Sequence, residues 1–138
     1  MTDALRDRIQ RWVSLPSSPD KVWADIGGFG DIATWHPGID SVEVFEIEGD
    51  VHRHLTMRGG GLLLERLIET GPHHYTYELV EGPLPLADHR ATLSSVAEEG
   101  GCHVFWSAVF EPTDPSADDI VAGFFEEGLR ALRERYGG

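Results

Sequence analysis

Cysteine occurs once in the 138 residues, at Cys102, so the chain can form no internal disulfide and offers no cysteine cluster for zinc. A reducing, cytoplasmic setting is the simplest expectation. Lysine is equally scarce. Lys21 stands alone beside ten arginines, and these 11 cations face 24 carboxylates, for a formal net charge of −13. Such an acidic chain repels phosphate backbones, which excludes nucleic acid as a partner, and it disfavours an anionic membrane surface for the same reason. Apolar runs stay far short of the ~20 residues that span a bilayer, so no transmembrane segment is expected. The opening residues, Met1 to Asp7, mix charges and lack the apolar stretch of a secretory signal. Several site signatures are missing too. Gly59-Gly60-Gly61 is not followed by the Lys-Ser/Thr of a phosphate loop, and Gly27-Gly28-Phe29-Gly30 lacks the strand-and-long-helix context of a dinucleotide fold. Ser94, Ser95 and Ser107 have no nucleophile-elbow setting, and Cys102 has no evident activating base. No cofactor is expected.

What is present suits one folded domain over residues 1–138, with 41% hydrophobic residues. Ile9 to Leu15 alternate as a strand that stops at Pro16. Ser17-Ser18-Pro19-Asp20 then opens a short helix with a serine cap, an early proline and an acidic first turn. A second short helical turn is expected over Asp31–Trp35, halted by Pro37. From Asp40 onward, segments near 41–48, 51–58, 62–70, 73–81, 88–98 and 102–112 carry β-forming residues at period two. Glycine- and proline-rich turns separate them, at spacings too short for helical crossovers, so an antiparallel meander is predicted. The last segment changes period. Ile120, Val121, Phe124, Phe125, Gly128, Leu129, Leu132 and Tyr136 form one helical stripe, with acids at its start and arginines at its end.

This order resembles the α+β helix-grip (Bet v 1/START-like) fold, a curved seven-stranded antiparallel sheet around a long C-terminal helix, with two short helices after strand 1. Particular stretches resemble the SRPBCC superfamily near its polyketide cyclase/dehydrase and lipid-transport branch: Leu15-Pro16-Ser17-Ser18-Pro19-Asp20-Lys21-Val22-Trp23, Gly28-Phe29-Gly30 with Trp35-His36-Pro37, Glu65-Arg66-Leu67, Glu81-Gly82-Pro83-Leu84-Pro85, and the strand through Trp106-Ser107 to Phe110-Glu111-Pro112. The resemblance runs from about Arg8 to Tyr136. It implies an apolar cavity for a hydrophobic small molecule, and it names no reaction, because the same cavity serves binders, carriers and enzymes. It also implies that Trp35 closes the pocket wall.

Strand alternation nominates the residues facing that cavity. Tyr75, Tyr77, Leu79 and Glu81 share one face, as do His89, Ala91, Leu93 and Ser95, while Trp106 and Phe110 lie on the heavier face of the last strand. Glu81 and His89 flank one turn and are candidate proton-transfer groups for an enolisable ketone, with Tyr77 donating to its carbonyl. The alternative places Glu81 in water at a strand end and makes His89 a packing residue. His36, held extended before Pro37, is a third acid/base candidate that could equally face solvent. Arg53, if inward, pairs with Glu65 on the next strand or with a ligand carboxylate. His52 and His54 share the opposite face, and with no third ligand at a suitable spacing, no metal site is assigned. Gly128 leaves room either for ligand or for close helix packing.

Two functions follow. One is a carrier or sensor that encloses a hydrophobic or aromatic molecule, with Trp35, Tyr77, Trp106, Phe110 and Phe124 as walls. The other is a cofactor-independent cyclase/dehydratase using Glu81, His89 or His36. A regulator acting through protein partners is a third possibility, and the chain is expected to be a monomer or homodimer.

Overall fold

The computed structural model describes residues 7–137; the start Met1 to Arg6, where the sequence shows no signal-like stretch, lies outside the described residues. Strand β1 (Ile9–Leu15) is followed by helices α1 (Pro19–Ile26) and α2 (Ile32–Trp35). Six strands come next: β2 (Ile39–Ile47), β3 (Asp50–Met57), β4 (Leu62–Gly71), β5 (His74–Glu81), β6 (Leu86–Glu98) and β7 (Gly101–Pro112). Helix α3 (Ala117–Tyr136) ends the chain. The strands form one sheet in the order β1-β7-β6-β5-β4-β3-β2, antiparallel throughout. This is the predicted helix-grip architecture, with its strand boundaries displaced by no more than two residues.

Local chemistry explains the elements. Ser18 caps α1 by accepting from the Lys21 N–H at 3.2 Å, with Pro19 as the first helical residue. The β2–β3 hairpin turns through Glu48 and Gly49 at φ 51° and 89°, the left-handed pair that matches the twist of its strands. Helix α3 buries Val121, Phe125, Leu129 and Leu132 and closes on Gly137 in the left-handed conformation. Among the described residues no helix is long and apolar enough to cross a membrane.

Irregularities in the ladder shape the sheet. Register shifts occur at Leu79–Glu81 against Leu64–Glu65, at Leu67–Glu69 against Thr76–Tyr77, and at Ala87–Arg90 against Val109–Glu111. Each adds a residue to one strand, bends it and increases its twist. Strands β5 and β6 are paired only between His74–Tyr77 and Ala91–Ser94 and part beyond Tyr77. Helix α3 packs against β1 and β7. A cavity remains between α3 and β3–β6.

Candidate functional site

The cavity has a volume of about 270 Å³. Met57, Leu63, Leu84 and Leu86 line it from the sheet side, and Ile120, Val121, Phe124 and Phe125 line it from α3. Polar groups enter this apolar lining at few points: Glu65, Tyr77 and His89 on the sheet, and Glu127 on the helix. Arg58 pairs with Glu127 at 2.9 Å.

Glu65 projects from β4 directly opposite Arg53 on β3, so the two side chains share the inner face. Arg53 is wholly buried; its Nε donates to Glu65 Oε1 at 2.8 Å, and Nη1 donates to the Phe29 carbonyl at 2.7 Å and to the Tyr75 hydroxyl at 3.3 Å. Nη2 sits 2.8 Å from the same Glu65 oxygen, an ion-pair distance at which its N–H bonds miss hydrogen-bond alignment. The rings of Phe29 and Tyr77 lie 4.1 and 4.8 Å from the guanidinium carbon. Arg53 therefore stands behind the cavity wall, and Glu65 is the member of the pair that lines the cavity. Burial raises the Glu65 carboxyl above its ordinary range, against the pull of Arg53.

Tyr77 is buried, and its hydroxyl accepts from the indole N–H of Trp106 at 3.1 Å. That bond leaves the phenolic proton to donate elsewhere. His89 occupies the gap where β5 and β6 part. Its Nδ1 accepts the Leu79 backbone N–H at 3.1 Å, replacing a missing ladder bond. Nδ1 must then be unprotonated, which puts the ring proton on Nε2. Burial lowers the His89 pKa to about 4, with Glu78 pulling weakly the other way, so the ring is neutral near pH 7.

Two of the three acid/base candidates lie outside the cavity. Glu81 is exposed and does not line it. The extra residue at the Leu79–Glu81 bulge places Glu81 opposite Leu64, on the outer face, so simple alternation fails at this point. His36 is buried with both ring nitrogens engaged: Nε2–H donates to the Phe124 carbonyl at 2.8 Å, and Nδ1 accepts from the Gly38 N–H at 2.9 Å. Burial lowers its pKa, and the ring stacks on Phe124 at 4.2 Å. His36 joins the start of β2 to α3.

Other predicted wall residues sit one layer back. Trp35 packs on Trp106 at 5.5 Å and Trp106 stacks on Phe125 at 4.5 Å, while Phe110 lies beneath Arg8. Neither tryptophan lines the cavity, and neither does Phe110 or Arg53. Tyr77, Phe124, Glu65 and His89 do. The space at Gly128 belongs to His36, because a Cβ there would meet its Cδ2 at 2.6 Å and the Trp106 ring at 2.9 Å. Gly128→Ala should therefore lower stability by about 1–3 kcal/mol through overpacking, despite alanine's better helix propensity, as a fall in the urea midpoint. Leu63, Leu84, Val121, Phe125 and Glu127 are among the lining residues that sequence reasoning missed. Leu63 was accessible from alternation with Glu65, and Val121 and Phe125 from the α3 stripe. Leu84 lies in a turn without periodicity. His52 and His54 flank Phe45 on the outer face, and among the described residues no group of three or more His, Cys, Asp or Glu is placed to hold a metal ion.

A family model described as polyketide cyclase / dehydrase and lipid transport matches residues 6–137. No curated protein matches the chain. Among solved structures, the protein XoxI from Bacillus cereus is 29% identical, with a TM-score of 0.86 over 93% of this chain and 94% of that one. A START superfamily protein from Mycobacterium smegmatis is 14% identical, with a TM-score of 0.70 over 94% and 96%. The di-domain aromatase/cyclase StfQ of the steffimycin biosynthetic pathway is 12% identical, with a TM-score of 0.71 over 94% of this chain and 52% of that one. At such identities the last two are alike in fold alone.

Proposed function

Because the chain belongs to the polyketide cyclase/dehydrase and lipid transport family, we propose that it encloses one compact hydrophobic or aromatic small molecule between the sheet and α3, as a carrier or sensor. The observation that carries this reading is the cavity lining. Its surface is mostly apolar, with Glu65, Tyr77 and His89 as the polar groups of the sheet wall. Apolar walls supply binding energy, and a few fixed polar groups supply orientation. A volume of about 270 Å³ lies near the lower edge of ligand pockets, ~300 Å³, which limits the occupant to a compact molecule.

Holding fits the polar groups better than converting. A histidine with a pKa of about 4 is a weak base at neutral pH, and its Nδ1 is already committed to Leu79. One observation favours the cyclase/dehydratase alternative: a buried carboxyl with a raised pKa, Glu65, lines the same cavity as the Tyr77 hydroxyl. In that reading Glu65 moves the proton and Tyr77 polarises the carbonyl, so turnover of an enolisable aryl ketone would be lost in Glu65→Gln.

Native mass spectrometry of the protein purified from its own host tests the binding reading. One apolar molecule per cavity is expected to co-purify. Val121→Phe, which fills the cavity from α3, should weaken uptake of neutral 2-acetylnaphthalene about tenfold in calorimetry, about 1.4 kcal/mol. A ligand-free protein with no affinity for such probes would overturn the reading, as would undiminished binding by the filled variant.

A further inference from the structure

The charge inventory around the cavity is one-sided. Glu65 and Glu127 both line it, whereas among the described residues no lysine or arginine does. Arg58 is tied to Glu127, with 62% of its own side chain exposed to solvent. Arg53, the buried cation nearby, has no exposed surface and lies behind the wall with its charge directed at Glu65 Oε1. His89 is neutral in the tautomer its bond to Leu79 requires.

A ligand carboxylate entering this space would shed its water, meet no cation and face a carboxylate. Burying an unpaired charge is costly, and the one cation near the wall, Arg53, is already committed to Glu65 and offers the ligand no compensation. The wall offers something else to an uncharged group. Every hydrogen bond of Glu65 among the described residues runs through Oε1, which leaves Oε2 to accept. The Tyr77 hydroxyl and the His89 Nε2–H are available to donate. A hydroxyl both donates and accepts, and so can satisfy both kinds of partner.

We propose that the cavity selects uncharged, hydroxyl-bearing aromatic molecules and rejects their carboxylate counterparts, because Glu65, Tyr77 and His89 form a polar wall with no accessible cation. The proposal rests on the binding reading above and assigns its ligand class. It also excludes ordinary free fatty acids and aromatic acids as occupants at neutral pH.

The test compares three probes of nearly equal shape on the unaltered protein at pH 7.5: 2-naphthylmethanol, sodium 2-naphthoate and 2-methylnaphthalene. Calorimetry is expected to rank the alcohol at least about tenfold tighter than the carboxylate and severalfold tighter than the hydrocarbon. Carboxylate binding equal to or tighter than the alcohol would overturn the proposal while leaving the binding reading intact. So would equal affinity for alcohol and hydrocarbon, since the polar wall would then contribute nothing. Failure of all three to bind would remove the binding reading itself. In the double variant Arg53→Met/Glu65→Leu, which removes the Glu65 acceptor together with its buried partner, the preference for alcohol over hydrocarbon should shrink; an unchanged preference would overturn the role given to Glu65.

Discussion

Arg53→Met should lower the unfolding free energy by about 3–5 kcal/mol, a large share of the ~5–15 kcal/mol that holds a domain together. The reason is asymmetric. Arg53 is wholly buried and Glu65 is 5% exposed, so removing the cation strands a carboxylate in a site built for a pair. The Phe29 carbonyl and the Tyr75 hydroxyl lose their donor in the same step. Adding Glu65→Leu should return most of the loss, because an apolar pair of similar volume avoids the desolvation of both ions. Recovery should stop short of complete, since the Phe29 carbonyl still lacks a partner. Urea unfolding of the wild type, both single variants and the double variant measures the cycle. A single-variant loss below 1 kcal/mol would show that water reaches the pair.

That pair also shows how far the sequence could be read. Alternation offered it as one of two readings: with Arg53 on an inward row, its partner was either Glu65 on the neighbouring strand or a ligand carboxylate, and the register places Glu65 directly opposite. The seven-stranded sheet and the C-terminal helix followed equally from period and turn chemistry, which are properties of short windows. Failure came where a single residue breaks the period. The bulge at Leu79–Glu81 turns Glu81 outward, and no residue type in Leu79-Val80-Glu81 announces it. Tyr77 stayed inward because the neighbouring bulge adds its extra residue to β4, between Leu67 and Glu69, and His89, within the Ala87–Arg90 bulge, keeps the inner side it shares with Ala91. For His36 the difficulty was different. Pro37 holds the backbone extended, but the side chain's surroundings are Phe124, Trp106 and the space left open by Gly128, all distant in the chain. The two glycine readings, ligand space or close packing, could be separated only once α3 was docked. The same holds for Trp35 and Trp106. An inward aromatic is legible from periodicity, but whether it meets a cavity or another ring depends on where the helix stands off the sheet.

Acid should destabilise the protein more steeply than its surface charges explain, with His89 as the main cause. The histidine titrates near 6.5 in an unfolded chain and at about 4 when folded, because burial disfavours its cationic form. Between these values the unfolded state binds more protons than the native state, so stability rises with pH. The contribution is fully present above about pH 6.5 and is lost as pH falls through about 4, amounting to about 3 kcal/mol across that window. His36, also lowered by burial, adds in the same direction. Glu65 acts in the opposite sense, since a carboxyl raised in the folded state takes up its proton earlier there than in the unfolded chain. His89→Gln isolates the histidine: its amide oxygen can accept the Leu79 N–H and does not titrate. Urea unfolding at pH 4, 5, 6 and 7 should give a curve for this variant flatter than wild type by about 3 kcal/mol between the extremes. Parallel curves would show that His89 titrates alike in both states and is not the source of acid lability. Protonation also withdraws the Nδ1 lone pair from Leu79 at the place where β5 and β6 are already unpaired. Exchange of the Leu79 amide should therefore accelerate in acid, relative to base-catalysed chemistry, before the paired amides of Tyr75 and Leu93 do, so that the cavity wall loosens ahead of the sheet.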